Sequence, residues 1–237
     1  MRLCRYLVAV VAAALSLPVS FAAEHEIRIA SIANEPLSAL VKQLGWLEAE
    51  LRADASVQWL PMNGGDSGGA DFVATGGEAA LRLRANGEPI RAVFVLSRGI
   101  VGSGEESVLQ LLSVREGFAS ANPLLTARVL RVFDRARRWT IANPEAAAVM
   151  LSSANQTDRA LARAHLDRTD FVASAPGPSQ AVALKNLPSV LGGLGPFKDS
   201  AALGALVDAL IDRPTARAAL GAAPDAHRAC GSLCDRW

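Results

Sequence analysis

Apolar and polar residues alternate through Ile27 and Ile29, which predicts a half-buried strand, and residues 31–35 form a polar turn after it. Pro36 suits a first helical turn. Leu37, Leu40, Val41, Leu44, Leu47 and Leu51 then recur at helical spacing. Val57 and Trp59 predict a second strand that ends at Pro61, Met62 and Asn63. Residues 71–74 read as a short buried strand, and 75–78 lead into a helix over 79–86 that Gly87 stops. A fourth strand is expected over 90–96. Strands alternating with helices predict an α/β fold on a largely parallel sheet.

Beyond Arg98 the pattern changes. Residues 99–107 are polar and glycine-rich, 108–114 predict one more strand, and the rest reads as helical. Asn122 and Asn143 each stand before a proline, as N-cap before N1, which brackets a helix over 124–142 and opens another. Further helices are expected over 157–166, 180–187 and 201–211. No internal repeat is visible.

The amino end adds a compartment. Arg2 and Arg5 precede an apolar stretch over 6–17, and Ser20 and Ala22 sit where a signal peptidase wants small side chains. The stretch is shorter than the roughly 20 residues that span a bilayer. A cleaved signal peptide over 1–22 is therefore expected in preference to a membrane anchor. A mature chain of residues 23–237 is large enough for a well-cored domain.

Charge removes some partners. With 24 Lys+Arg against 23 Asp+Glu, nothing points to nucleic acid. Once residues 1–22 are gone the cysteines are Cys230 and Cys234. An oxidising compartment permits a short-loop disulfide between them, two free thiols fit as well, and a metal site with His227 is short of ligands.

Two motifs invite a catalytic reading and do not sustain it. Gly65-Asp66-Ser67-Gly68-Gly69 spells the pentapeptide around the serine of trypsin-like proteases, but that serine needs an imidazole, and His25 is the one histidine that precedes it. A glycine-rich turn after a strand accounts for it. His25, His165 and His227 show no ligand spacing, and Gly102-Ser103-Gly104 lacks the third glycine of a dinucleotide loop. The residues thus argue for no enzyme, no cofactor and no metal.

Three stretches together resemble the periplasmic solute-binding proteins of ABC importers for aliphatic sulfonates, taurine and nitrate. They are residues 27–30 with 40–48 and 57–59, then Asp71-Phe72-Val73-Ala74-Thr75-Gly76-Gly77, then Asn122-Pro123 with 138–147, which ends on Ala142-Asn143-Pro144-Glu145. The resemblance extends to 205–212. It implies one binding-protein-like lobe, an α/β unit with a mostly parallel sheet and C-terminal helices packed on it. The family's second lobe has no room here: residues 23–99 would be the first lobe, 100–107 a connector in place of the second, and 108–237 the return strand and helices. A smaller gap falls at residues 64–69, where the family has a helix.

The resemblance further implies a monomeric carrier for a small sulfonate-like anion, working with a permease in the inner membrane and without catalysis. An anion of this kind is held by backbone N–H groups at helix N-termini on the carboxyl edge of the sheet. The candidate residues are Ser31, Asn34, Glu35, Asn63, Gly64, Thr75, Gly76 and Gly77. Asn34 and Thr75 equally suit plain helix caps. A one-lobed remnant or interaction module is the competing reading, and an enzyme of thiamine-precursor type, which shares the fold, is a third.

Overall fold

The computed structural model describes residues 25–33, 35–62, 66–100, 107–171, 174–187 and 200–221. The leader, Asn34, Asn63, Gly64, Cys230 and Cys234 lie outside the described residues.

β1 (His25–Ser31) pairs in parallel with β2 (Ala55–Pro61) on one side and with β3 (Phe72–Gly76) on the other. β4 (Ile90–Ile100) and β5 (Ser107–Arg115) form an antiparallel hairpin, and β5 slots between β3 and β4. The two-residue β6 (Thr169–Asp170) closes the far edge, giving the order β2-β1-β3-β5-β4-β6. β1 to β4 thus run one way and β5 and β6 the other, so the sheet is mixed where the sequence reading expects a parallel one. The reason is the hairpin. A return strand six residues after β4 has no length for a crossover, so it must pair antiparallel.

Side chains alternate across the pleat and feed two cores. On one face Ile27, Ile29, Phe72, Phe94 and Leu112 meet α1 (Pro36–Leu44), α2 (Trp46–Leu51), α5 (Pro123–Ala142) and α6 (Pro144–Asn155). On the other, Val73, Val95 and Leu111 meet α3 (Gly77–Ala85), α8 (Pro178–Lys185) and α9 (Ser200–Leu210). The result is a sheet between two helical layers. β-bulges at Ala92/Phe94 and Val95/Ser97 explain why Val93 and Phe94 serve the same core. α5 buries Val129, Val132, Phe133 and Ala136 on the first face, so the C-terminal helices pack on the lobe as expected. Three more helices complete the description: α4 (Glu116–Ala121), α7 (Arg159–Asp167), and α10 (Arg213–Leu220), which packs on α5.

Three expectations change in detail. The helical run from Leu37 to Leu51 is two helices, because Gly45 turns left-handed at φ 59° and ends α1. Both helices nevertheless face the same core, which keeps the apolar spacing intact. The turn over 75–78 is absent, since β3 passes directly into α3 at Gly76. Asn122 and Asn143 use their side chains backwards: each Nδ2 donates to the carbonyl four residues earlier, Phe118 and Trp139, and so ends the preceding helix.

The link from β2 to β3 contains no helix among the described residues. Gly68 and Gly69 turn with φ 59° and 70°, Ser67 Oγ donates to Glu88 at 2.5 Å, and Arg28 and Arg115 donate to the carbonyls of Gly69 and Ala70. Ser67 is thus a buried tether of a glycine-rich turn.

Candidate functional site

Parallel strands β1 and β2 end side by side, and their continuations stay paired: Met62 N donates to Ser31 O at 3.0 Å. A cleft of about 630 Å³ opens at this carboxyl edge. Ser31, Ile32 and Ala33 form one wall, Trp59 to Met62 a second, and α1 contributes Ala39, Lys42 and Gln43 at helical spacing. Ala154 and Asn155, the last turn of α6, complete it.

Trp59 is fixed in place. Its Nε1 donates to Glu48 Oε1 of α2 at 2.8 Å. Lys42 is exposed, and no carboxylate of the described residues lies within ion-pair distance of its ammonium. The cleft therefore offers one cation, amide and hydroxyl groups from Gln43, Asn155 and Ser31, and apolar area from Trp59, Leu60 and Met62. None of the described residues lining it is a histidine, cysteine or carboxylate.

A second cavity of about 330 Å³ lies beside the first and shares Asn155 with it. Pro36, Leu151, Leu161 and Ala162 give it apolar walls, and Thr157, His165 and Arg168 are its polar groups. Burial pushes the His165 imidazole below its ordinary value, and the Arg168 charge adds to the effect.

The candidate residues part company here. Ser31 lines the cleft. Glu35 is buried and acts as the cap of α1, its carboxylate accepting from Leu37 N at 3.1 Å and Ser38 N at 2.6 Å. Burial raises its pKa, and the hydrogen bonds from Ser38 and Leu37 oppose that rise. The amides expected to hold an anion are thus taken by the chain's own carboxylate. Thr75, expected as donor or cap, is buried within β3 opposite Leu111, and Gly76 takes the N-cap position instead. Gly77 is expected to let a ligand approach, yet Leu184 of α8 occupies that approach: a Cβ on Gly77 would lie 2.6 Å from Leu184 Cδ2. None of Thr75, Gly76 and Gly77 lines the cleft.

Lys42, Gln43, Trp59, Met62 and Asn155 are the residues that sequence reasoning missed. One signal was present: Lys42 is one of just three lysines, with Lys185 and Lys198, in a chain whose basic charge is otherwise arginine.

No protein-family profile matches the sequence. No curated protein matches it either. Solved structures do. The periplasmic aliphatic sulphonate binding protein SsuA from Escherichia coli superposes with a TM-score of 0.62 at 12% identity, over 80% of this chain and 92% of that one. The periplasmic nitrate-binding protein NrtA from Synechocystis gives 0.61 at 12%, over 82% and 88%. The ligand-binding component of an ABC-type import system from Staphylococcus aureus, with zinc bound, gives 0.64 at 9%, over 83% and 99%. At such identities the likeness is one of architecture, and this chain has the periplasmic-binding-protein fold found in the sulfonate- and nitrate-binding components of ABC importers.

Proposed function

We propose that this protein is an exported solute-binding component of an ABC importer, carrying an aliphatic sulfonate or a related small anion such as taurine or nitrate to an inner-membrane permease. The observation that carries the reading is that Lys42, in no ion pair with the described residues, shares the cleft with the apolar area of Trp59 and Met62. A sulfonate head meets the ammonium and an alkyl tail meets the indole, which matches an amphiphilic anion better than a purely hydrated one. The fold shared with sulfonate and nitrate binders supports it. Ser31, Gln43 and Asn155 orient the head group, and no chemical step is involved.

Binding is weak in this reading. With no second lobe between β4 and β5 in this reading, one side of the anion keeps its water and Lys42 acts against high-dielectric solvent. A dissociation constant in the millimolar range follows, about −4 kcal/mol. Calorimetric titration of residues 23–237 with taurine, short alkanesulfonates, nitrate and sulfate tests it. Millimolar, saturable binding that falls about tenfold in Lys42→Gln is expected, the loss of one charge-assisted contact. Binding unaffected by Lys42→Gln would remove the site.

A second reading, a one-lobed module that no longer takes solute, has its own support in Glu35. That carboxylate fills the α1 terminus where an anion would otherwise dock. Absence of any saturable binding would favour it.

A further inference from the structure

The cleft and the second cavity meet at Asn155, which lines both. Helix α6 ends on that residue. Gln156 then turns left-handed at φ 52°, which no other non-glycine residue among the described ones does. Such a conformation is unfavourable for a residue with a side chain and persists where the surroundings hold it. Thr157, the next residue, lines the second cavity. The two cavities thus adjoin at the end of α6, with Lys42 lining the first and Arg168 lining the second.

Arg168, like Lys42, has no acidic partner among the described residues. On α7 the arginines Arg159 and Arg163 both bind Glu145, at 3.3 and 2.7 Å, and Arg163 also binds Asp167. Arg168 is in no ion pair with the described residues. Its guanidinium lines a largely apolar cavity together with the His165 imidazole and the Thr157 hydroxyl. A bidentate planar donor in that setting suits a carboxylate or sulfonate.

We infer that the adjoining cavities together take one elongated aliphatic anion charged at both ends, an α,ω-disulfonate or sulfocarboxylate, with Lys42 holding one terminus and Arg168 the other. The inference rests on the cleft reading above and adds the second terminus. The alkyl chain runs past Asn155, from Trp59 and Met62 of the first cavity to Leu151 and Leu161 of the second. A short sulfonate leaves most of this apolar length hydrated, which is a further reason for its weak binding.

The test is calorimetry on the mature chain, at fixed ionic strength, with a series of alkanesulfonates and the α,ω-disulfonates of equal length. One disulfonate length is expected to bind about tenfold more tightly than its monosulfonate, and shorter or longer ones less so. Arg168→Gln abolishes that advantage, and Arg168→Lys restores part of it. Far-UV circular dichroism checks that both variants are folded. Equal affinities within each pair, an advantage independent of length, or an advantage that survives Arg168→Gln would each overturn the inference. If monosulfonates bind and lose affinity in Lys42→Gln while disulfonates gain nothing, this inference alone fails. If no anion binds, the cleft reading fails with it.

Discussion

Replacing Gly77 by alanine asks whether α8 really seals the start of α3. The new methyl would lie 2.6 Å from Leu184 Cδ2, 3.5 Å from the Leu109 carbonyl oxygen and 3.7 Å from Leu109 Cβ. Carbon pairs prefer about 3.5–4.0 Å, so the overlap with Leu184 is about 1 Å. A leucine tip normally swings aside at little cost, but Leu184 is fully buried among Leu81, Leu109 and Leu203. Overpacking of this kind costs about 1–3 kcal/mol. Alanine gains up to about 1 kcal/mol over glycine inside a helix, and less at a first residue. The net expectation is a loss of about 1–2 kcal/mol, or roughly 2–8 °C in Tm for a domain of this size. Urea unfolding followed by circular dichroism reads it as a lower midpoint at constant slope. Leu184→Val removes both δ carbons, so in that background the alanine should cost about 1 kcal/mol less. Gly77→Ala at or above wild-type stability, or an equal cost in both backgrounds, would refute the contact and reopen α3 as a place for a ligand.

Glu35→Gln tests the buried cap. Because burial holds the Glu35 carboxyl above its ordinary 4.5, its contribution is complete below about that pH and is lost as pH rises through the folded value. The Tm of wild type minus that of Glu35→Gln should shrink as pH rises from acid to neutral; a flat or growing difference counts against the assignment. Phe133 is fully buried 6.3 Å from Phe94, joining α5 to the sheet. Phe133→Ala should cost about 3–5 kcal/mol in urea unfolding, and a loss under about 1 kcal/mol would mean α5 is not docked as described.

Where periodicity is strong the elements were legible. The alternation at Ile27 and Ile29, the apolar run at Phe72, and the long helix with Val129, Val132 and Ala136 on one face all appear in the fold. Short or neighbour-dependent features were not. β6 is two residues held by β4, too short for any period, and β5 found its place by pairing with two strands that its own sequence does not name. α10 carried a readable signal that was overlooked: Asp212 accepts from Thr215 N at 3.0 Å, a cap just ahead of Pro214. The site divided along similar lines. Ser31 follows from the end of a strand, whereas Lys42, Trp59 and Asn155 converge through the β1–α1–β2 crossover and the docking of α6. Glu35 is a candidate from its place in the turn before Pro36, yet its carboxylate turns back to cap α1, and a residue list does not show which way a side chain turns.

The β4–β5 hairpin has a consequence for how such a lobe acquires and sheds companions. Beyond its second bulge the ladder runs unbroken from Ser97 opposite Gln110 to Ile100 opposite Ser107, so both ends of whatever joins them stand one rung apart. Sheet order and strand direction are then indifferent to the length of that join, since doubling a flexible loop costs only about 0.6 kcal/mol. A whole domain spliced between these residues would inherit adjacent termini and ask nothing of the sheet except an exit and a return. Modularity of this sort needs no redesign of the core: the lobe is a socket, and the hairpin is where the plug goes in or comes out.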